Sequence, residues 1–462
     1  MADSGFTSDR RDPIKSSVGN AAASRRRQHA VTVGKERRES LMRAKRLCRV
    51  GIGGGNGEFS VDSNMLTDEE QSILESQTLA AVENLKSALA FQGKGAVKKR
   101  VGALQELRRL LSRSEFPPVE SAINAGAVPL LVQCLSFGSP EEQVLEAAWC
   151  LTNIAAGNPE ETEALLPALP LLIAHLGVCL ALGNVAGEGE ELRNVLLVQG
   201  ALLPLARMML PNRGSTARTA AWALSNLIKG LDPKAATELI RVDGVLDAII
   251  RHLKKADDEL ATEVAWVVVY LSALSNIATC MLVKSDVLEL LVNKLATSSS
   301  LQLMIPEAAW VLSNIAAGSV EHKQLIYSSE AVPVLLHLLS AAPFDIRKEV
   351  AYVLGNVCVA PTKVDDKPSL ILEHLVSLVE KGCLPGFIDL VRSADVEAAR
   401  LGLQFIELVL RGMPNGEGPK LVEQEDGIEA MERFQFHENE DLRTMANTLI
   451  DKYFGEDYGL DE

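Results

Sequence analysis

The chain has 462 residues, of which 47% are hydrophobic and 4% aromatic, and this composition excludes a mostly disordered protein. The net charge of −15 is unevenly distributed, because residues 1–50 hold 13 Lys and Arg against five Asp and Glu, so that the other 412 residues carry −23. An acidic body repels phosphates, which excludes direct nucleic-acid binding by the folded part. The charge split favours a body that binds something basic.

The N-terminal segment, residues 1–57, is basic, and residues 31–47 within it have an amphipathic helical pattern. It ends in GIGGGNG, which we interpret as a flexible linker. A phosphate-binding loop is disfavoured, because no strand pattern precedes this stretch and no Lys-Ser/Thr pair follows it. The polar start of the chain predicts no signal peptide, and hence a cytosolic or nuclear protein.

Residues 58–462 contain a repeated helical motif. Its copies are AAWCLTNIAAG (Trp149, Asn153), CLALGNVAGEG (Leu180, Asn184), AAWALSNLIKG (Trp222, Asn226), VAWVVVYLSAL (Trp266, Tyr270), AAWVLSNIAAG (Trp310, Asn314) and VAYVLGNVCVA (Tyr352, Asn356). Successive Asn or Tyr markers are 31, 42, 44, 44 and 42 residues apart. A period of 42–44 is typical of armadillo or HEAT units, and therefore predicts one all-α solenoid rather than several globular domains.

The remaining features point away from a membrane, a metal site or catalysis. The uncharged stretch 164–187 contains Pro167 and Pro170 and is better explained by a buried helix pair than by a membrane span. Neither the seven cysteines nor the seven histidines form a ligand motif, so we predict no metal and no cofactor. The histidines are scattered over different repeats, which is not the convergent set that an enzyme needs.

Trp and Asn four residues apart lie on one face of a helix, and two interpretations are open. In the first, Trp is core and Asn is a clamp between repeats. In the second, which the recurrence favours, rows of indoles and carboxamides bind an extended peptide. Each Asn can pair with the peptide backbone, and Lys or Arg stems can lie between indoles. The acidic body makes a Lys/Arg-rich ligand the natural choice.

These motifs resemble the importin-α family, adaptors that bind nuclear localisation signals on a right-handed superhelical armadillo solenoid. The tail RRRQHAVTVGKERRESLMRAKRLCRV and the end FQFHENEDLRTMANTLIDKYFGED share in the resemblance. It implies a major signal site at Trp149, Asn153, Gly157, Thr162, Asn184, Glu188, Trp222 and Asn226, with Glu188 where the family usually has Asp. It also implies a minor site at Trp310, Ser313, Asn314, Glu349, Tyr352 and Asn356, with Tyr352 in place of Trp.

The resemblance further implies that the tail is a mostly disordered segment that binds importin-β. Its basic residues are Arg25, Arg26, Arg27, Lys35, Arg37, Arg38, Arg43, Lys45, Arg46 and Arg49. When importin-β is absent, Arg43, Lys45 and Arg46 are expected to lie in the chain's own groove. The acidic C terminus is expected to meet a recycling exportin, and the protein to shuttle between cytoplasm and nucleus.

Two departures from the family pattern predict a shortened form. The 31-residue spacing indicates that the third repeat is truncated near 176–180, where Leu180 replaces Trp. A whole repeat is missing near 304–307, where Pro306 interrupts the seam, so about nine repeats remain instead of ten. The alternatives are therefore a variant with impaired signal binding, and a non-transport armadillo scaffold similar in kind to catenins, whose groove would be basic.

Overall fold

The computed structural model describes residues 68–113, 117–175, 179–230, 232–255, 257–297, 305–359 and 368–455. Within these ranges every regular element is a helix, which confirms the predicted all-α solenoid of armadillo repeats. The chain divides into two compact units. Their described parts are 68–248, called the N-terminal unit, and 249–455, called the C-terminal unit. The predicted boundary at 57/58 lies outside the described residues.

The N-terminal unit is a succession of short and long helices. They are α1 (Asp68–Ala90), α2 (Ala96–Leu111), α3 (Val119–Asn124), α4 (Ala127–Cys134), α5 (Glu141–Ile154), α6 (Pro159–Glu163), a 3-10 turn (Leu166–Ala168), α7 (Leu169–Ala174), α8 (Cys179–Glu188), α9 (Glu190–Val198), α10 (Leu202–Met209), α11 (Gly214–Ile228) and α12 (Lys234–Ile240). Helix α13 (Val245–Leu253) contains the boundary between the units.

The C-terminal unit continues the same alternation. Its helices are α14 (Asp258–Leu274), α15 (Asn276–Val283), α16 (Val287–Thr297), α17 (Ile305–Ala316), α18 (Val320–Tyr327), α19 (Ala331–Ala341), α20 (Phe344–Val357), α21 (Pro368–Glu380), α22 (Leu384–Val391), α23 (Val396–Gly412), a 3-10 turn (Pro414–Gly416), α24 (Gly418–Gln424), α25 (Gly427–Glu432) and α26 (Glu440–Phe454).

The sequence ends and restarts helices with recurring local signals. Gly126, Gly200, Gly244 and Gly382 adopt φ between 82° and 83°, a left-handed conformation that glycine adopts without steric cost, and each precedes an apolar helix. Side-chain caps begin others: Asn158 and Glu161 form a reciprocal capping box at α6. These signals hold each repeat to a few helical turns separated by sharp changes of direction.

One long helix of each repeat packs against its counterpart in the next repeat. In the N-terminal unit the series is α2, α5, α8 and α11, and in the C-terminal unit it is α14, α17, α20 and α23. Their inward faces are buried Leu, Ile, Val and Ala, including Leu151, Leu224 and Leu312. Each repeat thus covers its core with its neighbours, as expected for a solenoid.

The described residues on either side of the two irregular places in the repeat pattern form helices, whereas residues 176–178 and 298–304 lie outside the described residues. The described helical residues of the apolar stretch 164–187 belong to a 3-10 turn, α7 and α8. Among the described residues no helix has the length and apolar character needed to cross a membrane. Pro306 lies in the first turn of α17, where a missing N–H costs nothing, and the helix continues through it.

Candidate functional site

Six helices carry the Trp, Leu, Tyr and Asn residues of the repeated motif, and we call them the ladder helices: α5, α8 and α11 in the N-terminal unit and α14, α17 and α20 in the C-terminal unit. Each presents its marker residue one turn after its Trp, Leu or Tyr. The surface that these side chains form within each unit is called the ladder surface.

The three asparagines of the N-terminal unit bind the preceding repeat. Asn153 Nδ2 donates to Ser112 Oγ at 2.8 Å, Asn184 Nδ2 to the Thr152 carbonyl at 3.2 Å, and Asn226 Nδ2 to the Gly183 carbonyl at 3.2 Å. Asn153 and Asn184 are buried, and Oδ1 of Asn184 has no hydrogen-bond partner among the described residues. The asparagines therefore clamp consecutive repeats together.

The C-terminal unit repeats the arrangement. Asn314 Nδ2 donates to the Val269 carbonyl at 3.2 Å and to Ser272 Oγ at 3.0 Å. Asn356, also buried, donates to the Ser313 carbonyl at 3.1 Å. The clamp is the role that the first of the two interpretations gave to the asparagines. Its hydrogen bonds use amide N–H groups that the peptide-binding interpretation assigned to a ligand.

In the N-terminal unit the two indoles remain partly accessible. Trp149 on α5 and Trp222 on α11 are half-buried, and no indole stands between them because α8 carries Leu180. The Trp222 ring lies directly over Gly183 of α8, where an added Cβ would come within 2.1 Å of the ring. Gly183 thus positions the indole, a role that the sequence reading missed, although a glycine in mid-helix is itself a signal of close approach.

In the C-terminal unit the aromatic side chains contact one another. Trp266 and Trp310 meet edge to face with ring centroids 5.7 Å apart, and Tyr270 lies 6.1 Å from Trp266. A methylene stem between two rings needs about 3.5–4 Å on each side, so the expected space for a Lys or Arg stem is closed at this pair. Tyr352 is only 1% exposed and does not present its ring to solvent in this structure.

The other predicted site residues surround the ends of the ladder helices. Gly157 follows α5, and Thr162 is buried in α6 with its hydroxyl donating to the Asn158 carbonyl at 3.0 Å. Glu188 is half-buried at the end of α8, one turn after Asn184. Ser313 is buried and donates to the Trp310 carbonyl at 2.9 Å, while Glu349 is half-buried on α20.

A recurring glutamate position was recognised from the sequence only at Glu349, and its three counterparts were missed. Glu146, Glu263, Glu307 and Glu349 each stand three residues before the Trp or Tyr of their ladder helix. Glu146 bonds Arg108 of the previous repeat at 2.6 Å, and Glu263 and Glu307 are buried. Their constant spacing from the aromatic position was the signal that could have identified them. They place negative charge beside the indoles.

A basic side chain of the chain itself occupies part of the predicted major site. Lys229 is 8% exposed, and its Nζ donates to Asn226 Oδ1 at 3.1 Å and to the Gly187 carbonyl at 3.4 Å. The carboxamide oxygen of Asn226 therefore already accepts a hydrogen bond from an ammonium group. This is the type of group that a Lys-rich ligand would bring.

Two further predictions concern other parts of the chain. The basic residues from Arg25 to Arg49 lie outside the described residues. Where the structure does describe the chain, no three His, Cys, Asp or Glu side chains are close enough together to hold a metal ion.

The fold and the ladder helices define an armadillo-repeat protein. The Armadillo/beta-catenin-like repeat family matches residues 116–156 and 319–359, and the Atypical Arm repeat family matches residues 420–462. A crystal structure of an engineered protein is similar in fold, with a TM-score of 0.68 and 24% sequence identity. The superposition covers 79% of this chain and 87% of the engineered protein, and this likeness shows the fold alone.

Two curated relatives extend over the whole chain. Importin subunit alpha-9 of Arabidopsis thaliana is 65% identical, with 100% of both chains covered, and the alignment extends over 519 residues, 57 more than this chain has. Importin subunit alpha-2 of Oryza sativa subsp. japonica is 59% identical over 98% of this chain and 96% of its own. The chain belongs to the importin-α family, and thus to the armadillo-repeat proteins of nuclear protein import.

Proposed function

We propose that the chain is a nuclear import adaptor that binds Lys/Arg-rich nuclear localisation signals on its ladder surfaces and links cargo to importin-β through residues 25–49. The observation that supports signal binding best is the aromatic residue on five of the six ladder helices. On four of these helices an Asn follows it one turn later, and on four a Glu stands three residues before it. A cationic side chain is attracted both to the ring face and to the neighbouring carboxylate.

The hydrogen bonds of the asparagines to the preceding repeat determine which polar groups remain accessible to a bound peptide. The Nδ2 group of each clamp asparagine donates to the preceding repeat, and that of Asn314 does so twice, so a peptide backbone must compete with these contacts to reach a carboxamide N–H or oxygen. At Asn226 the peptide must compete with Lys229 for that oxygen. Trp149, Trp222 and Trp310 are half-buried and so offer part of each ring to a ligand.

The charge split supports the proposed role of the tail. In the absence of importin-β, Arg43, Lys45 and Arg46 act as an internal ligand of the acidic ladder surface. When importin-β takes the tail, the surface becomes available to cargo. A recycling exportin binds the acidic C-terminal repeat after delivery, and the protein shuttles between cytoplasm and nucleus. No nucleic acid, membrane or catalytic step is part of this function.

The adaptor role is tested by capture of importin-β. We expect the full chain to bind purified importin-β, and binding to be lost when Arg37, Arg38, Arg43 and Lys45 are changed to Glu, because the partner's surface is proposed to be acidic. Changing Arg10, Arg11 and Lys15 to Glu reverses charge in the same tail outside residues 25–49 and should leave binding intact. Failure of the unaltered chain to bind would favour the non-transport scaffold.

A shortened form with weakened signal binding is the second candidate. Leu180 in place of an indole, the closed Trp266–Trp310 contact and the 57 alignment positions without a residue in this chain all support it. We expect calorimetric titration with a Lys/Arg-rich signal peptide to give weaker binding than a complete ten-repeat relative, both lacking their tails. Losing one buried aromatic contact weakens binding roughly tenfold or more. Equal affinities would exclude this candidate.

A further inference from the structure

A cysteine in the C-terminal unit differs from the others that the structure describes. Cys280, in the second half of α15, is exposed, whereas Cys134, Cys150, Cys179, Cys358 and Cys383 are buried. Burial raises the pKa of the Cys134 and Cys179 thiols to about 11 and that of Cys358 to about 12. The buried thiols are therefore poor nucleophiles at neutral pH, because the thiolate is the reactive form.

Cys280 has an imidazole beside it that comes from the next repeat. His322 Nε2, in the first turn of α18, lies 3.9 Å from Cys280 Sγ. The other ring nitrogen, Nδ1, is buried against Gly318, where an added Cβ would come within 2.6 Å of it, and has no hydrogen-bond partner among the described residues. Gly318 leaves room for the ring, and this packing holds Nε2 toward the thiol.

The protonation state of the ring suits proton acceptance. Burial lowers the pKa of His322 below its usual value, and the neighbouring Lys323 acts in the same direction, while Glu321 opposes them. The ring is therefore mostly neutral near pH 7, and a neutral imidazole has one nitrogen able to accept a proton. A nucleophile and a base within reach of each other are the arrangement that activates a thiol.

We propose that Cys280 and His322 form a thiol modification site for low-molecular-weight disulfides. The thiol proton passes to His322 Nε2, and the Cys280 thiolate attacks one sulfur of the disulfide. A new S–S bond forms to Cys280 as the original S–S bond breaks, and the released thiolate takes the proton from His322. The exchange needs no further oxidant, since the incoming disulfide supplies the oxidised sulfur.

The pair depends on the repeat seam. Cys280 and His322 are 42 residues apart and lie on the helices that follow ladder helices α14 and α17. If a repeat is missing at this seam, as proposed above, a chain that retained it would separate the thiol from the imidazole by the width of that repeat. The modification site then belongs to the shortened form. It lies off the ladder helices, so the adduct changes contact between repeats rather than covering an indole.

The test measures adduct formation on the folded full chain. A Cys48→Ser background removes the cysteine outside the described residues, and glutathione disulfide is the probe. We expect intact mass and peptide mapping to find one adduct, on Cys280, and Cys280→Ser to abolish it. His322→Gln and His322→Asn should each slow the reaction at least about tenfold, since general-base assistance contributes that much or more. His337→Gln, an exposed histidine of the same unit, should react at the unaltered rate.

Denaturation separates base assistance from simple exposure. In urea the His322 variants and the unaltered protein should react equally fast, because the two residues are no longer juxtaposed. The proposal is overturned if Cys280 is not the first cysteine modified in the folded chain. It is equally overturned if both His322 variants, with helicity intact by circular dichroism, react as fast as the unaltered protein.

Discussion

The side chains that distinguish this chain at the residue scale are those that let neighbouring repeats approach closely. Gly183 is the clearest example, because it accepts both the Trp222 ring over its Cα and the Asn226 amide on its carbonyl. A side chain at this position would displace the indole and strain the clamp together. A single missing Cβ thus couples the packing of two ladder helices to the geometry of the predicted signal site.

Gly183→Ala is expected to destabilise the N-terminal unit and weaken signal binding. The methyl group would lie 2.1 Å from the nearest Trp222 ring atom, so the indole must move, at a cost of about 1–3 kcal/mol in the free energy of unfolding. Thermal denaturation and peptide titration measure the two effects. Gly102→Ala is the matched control: it lies inside helix α2 with nothing within 4 Å of the new methyl group. It should stabilise the protein by up to about 1 kcal/mol. Unchanged stability and binding in Gly183→Ala would show that Trp222 is free to move.

At the scale of elements, the sequence was sufficient to predict the helices but not the contacts between them. The 42–44 residue period and the glycines before apolar helices predicted where repeats begin and end, because these signals act within a few residues. The direction of the asparagine amides and the Trp266–Trp310 contact depend on how one repeat docks on the next. No local sequence pattern determines the distance between side chains of neighbouring repeats, so the contact between Trp266 and Trp310 could not be predicted.

One lysine, which no sequence pattern singled out, joins the ends of three helices in the C-terminal unit. Lys323 of α18 is 0% exposed, and its Nζ donates to the carbonyls of Ala316, the last residue of α17, and Asn356, near the end of α20, at 2.6 Å each. A cation at helix C-termini is favourable, yet its burial is costly. Burial lowers the pKa of Lys323 from 10.5 to about 8, although the nearby Cys358 raises it.

This pKa predicts a pH-dependent stability. Between about pH 8 and 10.5 the unfolded chain holds the Lys323 proton more tightly than the folded one, so the stability contributed by this residue rises with pH. We expect the stability of the unaltered protein relative to Lys323→Met to increase by up to about 1.4 kcal/mol per pH unit in this window, and to be constant below it. Thermal denaturation at several pH values measures the difference.

Two comparisons make the lysine result specific. Lys284→Met removes an exposed lysine from the same unit and controls for the loss of one charge. A difference between the unaltered protein and Lys323→Met that does not change between pH 7 and 9.5 would contradict the burial of a lysine with a lowered pKa. His374 and Cys358 lie near Lys323, but in the folded protein the pKa of His374 lies below 6.5 and that of Cys358 is about 12, so neither group titrates between pH 8 and 10.5. Their titration in the unfolded chain is common to both proteins.

At the scale of the whole molecule, the opposed charges of tail and body affect the apparent affinity for cargo. The tail carries part of a net +8 within residues 1–50, and the rest of the chain carries −23. Tethering gives the tail an effective concentration that can reach ~1 mM near its own ladder surface. A tail with a Kd of about 10 µM would then reduce the apparent affinity for a cargo peptide about a hundredfold.

We expect the full chain in which Arg43, Lys45 and Arg46 are changed to Gln to bind a Lys/Arg-rich signal peptide tighter than the unaltered chain does. Fluorescence anisotropy with a labelled peptide measures the gain. The gain should shrink as ionic strength rises, since screening shortens from ~10 Å at 0.1 M salt to ~3 Å at 1 M. The matched control changes Arg10, Arg11 and Lys15 to Gln, which removes the same charge from outside residues 25–49. An equal gain in the control would assign the effect to net charge alone, whereas no gain in either variant would show that the tail does not compete for the ladder surface.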